Sequence, residues 1–153
     1  MEDPTQESLP TEQDTPIPRS FMLISAGALV WNLLGVAAYI SQVTMSDAAL
    51  AALPESERQL YETIPVWATS AFAVAVNGSA LGCILLLFKK SWAYPVLCVS
   101  LLGVLVQMVH SIFIANSIDV YGPGGLVMPV MVLLVSVYLL WFSRNAWQNG
   151  WIS

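Results

Sequence analysis

Residues 65–88 read PVWATSAFAVAVNGSALGCILLLF and residues 92–115 read WAYPVLCVSLLGVLVQMVHSIFIA, with only Lys89-Lys90-Ser91 between them. Neither run contains an Asp, Glu, Lys or Arg. At 1.5 Å per residue each makes a helix of roughly 35 Å, enough to cross a hydrocarbon layer of about 30 Å. So short a connection leaves the two helices side by side and antiparallel, with both lysines at one end. A closed β-barrel also satisfies its backbone groups in lipid, but it needs alternating segments of about ten residues, and these runs do not alternate.

Two further runs of the same kind lie outward from this hairpin, at 21–43 and 126–142, the last spanning roughly 26 Å. The chain of 153 residues is 57% hydrophobic and 10% charged, against about 25% charged in an ordinary soluble domain, which excludes a soluble globular fold. The expected fold is an all-α integral membrane protein. It comprises a four-helix transmembrane bundle over 21–153, with spans at 21–43, 65–88, 92–115 and 126–142, and an acidic tail over 1–20. The tail carries Pro4, Pro10, Pro16 and Pro18, and Glu2, Asp3, Glu7, Glu12 and Asp14 among the chain's ten acids. With so little apolar surface to offset ordering entropy it is expected to be disordered. Its acidic start and the long apolar run that follows do not fit a signal peptide.

Basic residues set the expected orientation. Arg19, Lys89, Lys90 and Arg144 fall at one side of the four spans and Arg58 at the other, which places the first side and both termini in the cytoplasm. The outer loop between spans one and two reads as a short surface helix or helix pair. Ser46 caps a turn at Asp47, Pro54 and Glu55 suit the start of a second helix, and Leu50, Leu53, Leu60 and Tyr61 supply an apolar face. Pro65, Pro95 and Pro129 fall near span starts, where a missing N–H costs least. Gly122-Pro123-Gly124-Gly125 reads as a turn, without the lysine of a phosphate loop. Leu33-Leu34-Gly35-Val36 recurs as Leu101-Leu102-Gly103-Val104, which a duplicated two-helix unit or chance both explain.

With charge absent from the spans, carboxylate-based proton coupling is disfavoured. Neutral polarity takes its place, and it falls at helical spacing. Ser25, Ala28, Asn32, Gly35, Tyr39 and Gln42 make one stripe on span one, and Ser100, Gly103, Gln107 and His110 make another on span three. Span two adds Asn77 and span four Ser136. Asn32 and Asn77 sit near mid-span, whereas Tyr39, Gln42, Gln107 and His110 lie in the outer half, with Trp67 beyond them. A polar vestibule, open outward and narrowing at the two asparagines, is expected from this distribution. Its substrate-binding residues would be Asn32, Tyr39, Gln42, Trp67, Asn77, Gln107 and His110. Helix-to-helix hydrogen bonding, at roughly 0.6 kcal/mol per contact, accounts for several of the same residues. His110 is the sole histidine and reads first as a packing residue, with pH sensing as the sharper alternative. Nothing in the sequence sets metal ligands around it, so neither a metal nor another cofactor is expected.

Cys83 and Cys98 flank the Lys89 turn at similar depth and read as two reduced thiols. No base lies near them, and no acid, base and nucleophile converge, so an enzyme is not expected. Ala71, Ala75 and Ser79 repeat every four residues, and Gly78 with Gly82 makes a GxxxG pair. That face, through Ala71, Ala75, Gly78 and Gly82, serves either close packing inside the bundle or contact with a second copy or larger membrane partner. The net charge of −5, without a basic patch, argues against a nucleic-acid partner.

Trp31-Asn32-Leu33-Leu34-Gly35-Val36, the run Met45-Ser46-Asp47-Ala48-Ala49-Leu50-Ala51-Ala52-Leu53-Pro54, Leu101-Leu102-Gly103-Val104-Leu105-Val106-Gln107, Tyr121-Gly122-Pro123-Gly124-Gly125 and Gly150-Trp151 resemble segments of small bacterial four-span membrane proteins that often carry the label sugar transporter. The resemblance covers about residues 20 to 153. It implies the four-span topology and assigns no catalytic residue. The Pro-Gln pair that marks small three-helix sugar carriers is absent from this chain. Two functions follow as expectations. One is binding or transport of a small neutral polar solute, sugar-like, through the outward pocket. The other is a non-catalytic accessory or assembly subunit docked through span two.

Overall fold

Apolar runs longer than 20 residues without an internal charge satisfy their backbone groups most simply as helices. The structure, a computed structural model that describes residues 17–153, is built of them, and no strand occurs among the described residues. Helix α1 spans Arg19–Val43, α2 Asp47–Ala51, α3 Glu55–Glu62, α4 Val66–Leu87 and α5 Ala93–Val109. A single π-turn, His110–Ile114, prolongs α5, and Ala115 donates its N–H to the His110 carbonyl at 2.8 Å. Then come α6 at Ser117–Tyr121, a 3-10 turn at Pro123–Leu126 and α7 at Val127–Gln148. Four helices are long and apolar enough to cross a membrane: α1, α4, α5 with its π-turn, and the 3-10 turn running into α7. The tail expected over 1–20 lies outside the described residues as far as Pro16.

The ends have local causes. Ser46 Oγ accepts the Ala49 N–H at 3.2 Å to start α2. α4 stops as Lys89 turns left-handed at φ 58, and Lys90 N–H reaches back to the Leu85 carbonyl at 2.8 Å. α7 ends in the same way: Gly150 takes φ 70 and Trp151 N–H reaches the Ala146 carbonyl at 2.9 Å. This end differs from the expected stop at 142. Ser143, Arg144 and Asn145 are polar, yet the helix continues because Ser143 and Ala146 are buried against the bundle. The connection after residue 115, expected as a loop, contains α6.

Neighbouring helices in the bundle run α1 beside α4, α4 beside α5, and α5 beside α7. The closest approach is between α4 and α5, where a Cβ on Gly103 would lie 2.9 Å from both the Ala71 carbonyl oxygen and the Ala75 nitrogen. A Cβ on Gly82 would strike the Leu97 side chain at 2.5 Å, and one on Gly78 would meet Ser100 Cβ at 3.0 Å. The small-residue face of span two is therefore filled by α5. Ser100 Oγ donates to the Ala75 carbonyl at 2.6 Å and shares a hydrogen bond with Ser79 Oγ at 2.5 Å across the same seam. The repeated tetrapeptides meet the same helix: Gly35 faces the Val76 side chain on α4, and Gly103 faces the α4 backbone at Ala71 and Ala75.

The tight core lies at the Lys89 end, where Phe21, Cys83, Leu86, Leu97, Leu139, Phe142 and Ile152 are buried together. Phe21 stacks on Phe142 at 5.5 Å and meets Trp151 edge-on at 5.9 Å. The C-terminus closes this end, with Ser153 donating its N–H to the Lys89 carbonyl and accepting that of Ser91. Here α1 and α7 touch. Along the rest of their length α1 packs on α4 and α7 on α5.

Candidate functional site

A cavity of about 280 Å³ lies between all four long helices. Trp31 and Gly35 of α1, Phe72 and Val76 of α4, Val104 and Met108 of α5, and Met128, Val132 and Val135 of α7 make it largely apolar. Its polar groups are Asn32, Ser79, Gln107, Ser111 and Ser136. Most of their hydrogen-bonding capacity is already committed. The Asn32 amide donates to the Ala28 carbonyl at 2.8 Å and to Cys83 Sγ at 3.5 Å. Ser79 is tied to Ser100, and Ser136 Oγ donates to the Val132 carbonyl at 2.8 Å. Gln107 is the exception: its Oε1 is buried without a hydrogen-bond partner among the described residues.

A smaller chamber of about 110 Å³ adjoins the first on the side of α3 and α6. Gln42, Tyr61, His110, Ser117 and Tyr121 line it, with Leu60 and Ile64 from the α3 end, so that segment covers the chamber. Gln107 and Ser111 line both spaces, a stretch of wall common to the two. Ser111 and Ser117 share a hydrogen bond at 3.0 Å across the π-turn, a helical irregularity that recurs at functional sites. Burial, with Glu57 and Tyr61 nearby, pushes the Tyr121 phenol above its ordinary value, so at neutral pH it keeps its proton and can donate.

The expected pocket is thus partly assembled. Asn32 and Gln107 line the larger cavity, and Gln42, Gln107 and His110 the smaller. Tyr39 packs edge-on against Phe72 at 5.5 Å and lines neither space. Trp67, about half exposed, meets the His110 ring edge-on at 5.2 Å and fixes it from behind. Asn77 is on the opposite face of α4, exposed, donating to its own Ala73 carbonyl at 2.9 Å. The reason is angular: residues two apart lie about 200° around a helix, so burying Ala75 and Ser79 on α5 turns Asn77 outward. Reading by residue type passed over Ser111, although its i+4 spacing from Gln107 was the available signal.

No family model, curated protein or solved structure matches the chain. Geometry alone bears on function. Cys83 is a buried free thiol and Cys98 a partly buried one. Among the described residues no three His, Cys, Asp or Glu side chains gather where a metal ion would bind. What the arrangement offers chemically is a largely apolar container with a buried, unpaired acceptor, Gln107 Oε1, in its wall.

Proposed function

We propose that the protein is a multi-pass membrane protein that binds a small, mostly apolar molecule in the cavity, admitted from the lipid through the seam between α1 and α7. Insertion in a bilayer is supported by the exterior. Leu23, Leu34, Leu102, Phe113 and Leu134 are exposed around the bundle, the pattern of a span and not of a soluble helix with a polar face. Exposed Trp92 and Trp147 at the lysine end, with Trp67 and Tyr121 at the other, suit the two interfaces of a membrane. In this reading the lysine end faces the cytoplasm, and α2 and α3 lie on the outer surface.

The observation that carries the ligand class is the cavity's largely apolar wall, whose serine hydroxyls and Asn32 amide donor are already paired. A sugar buried there would leave hydroxyls unpaired, which costs about 1–3 kcal/mol each. An apolar molecule meets no such cost. An apolar cavity of about 150 Å³ holds benzene, so about 280 Å³ suits roughly twelve non-hydrogen atoms.

The test uses the full chain in lipid nanodiscs with 1-bromodecane as the probe, read by quenching of Trp31, which lines the cavity. A saturable component is expected in the wild type, absent from Trp31→Phe, suppressed by Val132→Phe, which adds a ring to the wall, and unchanged by Asn77→Leu. If folded protein shows no saturable component the reading is wrong. Saturable binding of glucose or glycerol, sensitive to Asn32→Ala, would instead restore a polyol as the ligand.

A further inference from the structure

The two chambers share Gln107 and Ser111 in their linings, and they differ in chemistry. The larger is apolar, whereas the smaller presents Gln42, Tyr61, His110, Ser117 and Tyr121. Among the described residues no charged side chain lines either one. Gln107 Oε1 stands buried at the shared wall with no donor to bond. A buried acceptor left unpaired is unfavourable, so the position is set for a ligand group that donates a hydrogen bond.

From this juxtaposition we infer that the site takes a neutral single-chain amphiphile. Its tail lies in the four-helix cavity, and its hydroxyl-bearing head reaches past Gln107 into the chamber under α3. This inference rests on the cavity reading above and adds the head group to it. The absence of lining charge selects against anionic and cationic heads, because an ion moved into this enclosure would lose its hydration without gaining a counter-charge. Size sets a second limit. About 110 Å³ admits a head of the order of four or five non-hydrogen atoms on the scale set by benzene in about 150 Å³, which suits a glyceryl head and excludes a hexose. The π-turn matters here because it begins at His110, next to the wall, and its Ser111–Ser117 bond holds the wall to α6. Gln107 is accordingly a specificity-determining residue for the head, set apart from its share in lining the tail cavity by the hydrogen bond it accepts.

The experiment compares 1-decanoylglycerol, 1-bromodecane, decanoate and decyltrimethylammonium on the wild-type chain in nanodiscs, with the unbrominated compounds read by competition against 1-bromodecane quenching. Decanoylglycerol is expected to compete about tenfold more tightly than a headless chain of equal length, as befits one or two added hydrogen bonds, with both charged amphiphiles weaker. In Gln107→Leu the ratio of decanoylglycerol to bromodecane affinity, measured within the variant, should fall from about ten to about one whatever the change in bromodecane binding itself, and Ser111→Ala is read by the same ratio at a site with less effect on folding. Bromodecane that binds saturably while the glyceryl head adds nothing, or while decanoate binds best, overturns this inference and leaves the cavity reading standing. Absence of saturable binding by every compound overturns both.

Discussion

Replacing Gly103 by Ala adds one methyl group at the tightest point of the bundle. Its Cβ would sit 2.9 Å from the Ala71 carbonyl oxygen and 2.9 Å from the Ala75 nitrogen, with Ala75 Cα at 3.2 Å. All three are backbone atoms, so no rotamer change relieves the contact and α5 must move away from α4. Overpacking of this kind costs about 1–3 kcal/mol, and the rigidity of the neighbours puts this site at the upper end. Alanine's better helix propensity returns about 1 kcal/mol, for a net loss of about 2 kcal/mol. Gly27 provides the control: a Cβ there meets nothing within 4 Å, so Gly27→Ala should gain about 1 kcal/mol from propensity alone. The two variants, identical in chemistry, should differ by about 3 kcal/mol, more than a hundredfold in the unfolding equilibrium. Reversible unfolding in mixed micelles, titrated with sodium dodecyl sulfate and followed by circular dichroism, measures the difference. Equal stability of the two variants would refute the close α4–α5 approach, and with it the burial that turns Asn77 outward.

Ser100→Ala should cost about 1 kcal/mol in the same titration, because it removes the bonds to Ala75 and Ser79 together and interhelical bonds in membranes rarely exceed about 1.7 kcal/mol each; no loss would show that the pair is idle. In α3 the Gln59 side-chain amide, then the charge of Arg58, holds the Glu55 carboxyl below its ordinary value against a small opposing effect of burial. A lowered carboxylate stabilises above its unfolded pKa and loses that stabilisation as pH falls through the folded value. Protection of the α3 amides, taken relative to the intrinsic exchange rate at each pH, should therefore be steady above the ordinary glutamate range and fall as the pH drops through and below it, with Glu55→Gln flattening the profile; identical profiles for the two would remove Glu55 as the cause.

The inward direction of the two polar stripes was legible because their spacing leaves few choices. Ser25, Asn32 and Gln42 on one helix, and Ser100, Gln107 and His110 on another, are at least partly buried. Asn77 was not legible. On α4 two signals compete for the inside, a lone amide and a stripe of Ala and Gly, and in an apolar helix nothing in the residues ranks them. Close backbone packing and the Ser79–Ser100 bond decide for the small residues, while the asparagine satisfies its donor on its own helix. The pairing of Asn32 with Cys83 joins residues 51 apart in sequence and could not be read from either.

Composition and run length by themselves determined four apolar helices, their up-and-down order and the end that carries Lys89 and Lys90. Those properties depend on one-dimensional quantities: how far a helix reaches and how short a turn is. Only the tertiary structure decided that α1 and α7 meet at a shared aromatic contact while packing on different neighbours, that the space among the four helices is chiefly apolar, and that Gln107 also lines a polar chamber beside it. Empty volume belongs to no residue. It arises from the angles at which helices pack, and those angles are set by contacts such as Gly103 on Ala75, whose partners are distant in the chain.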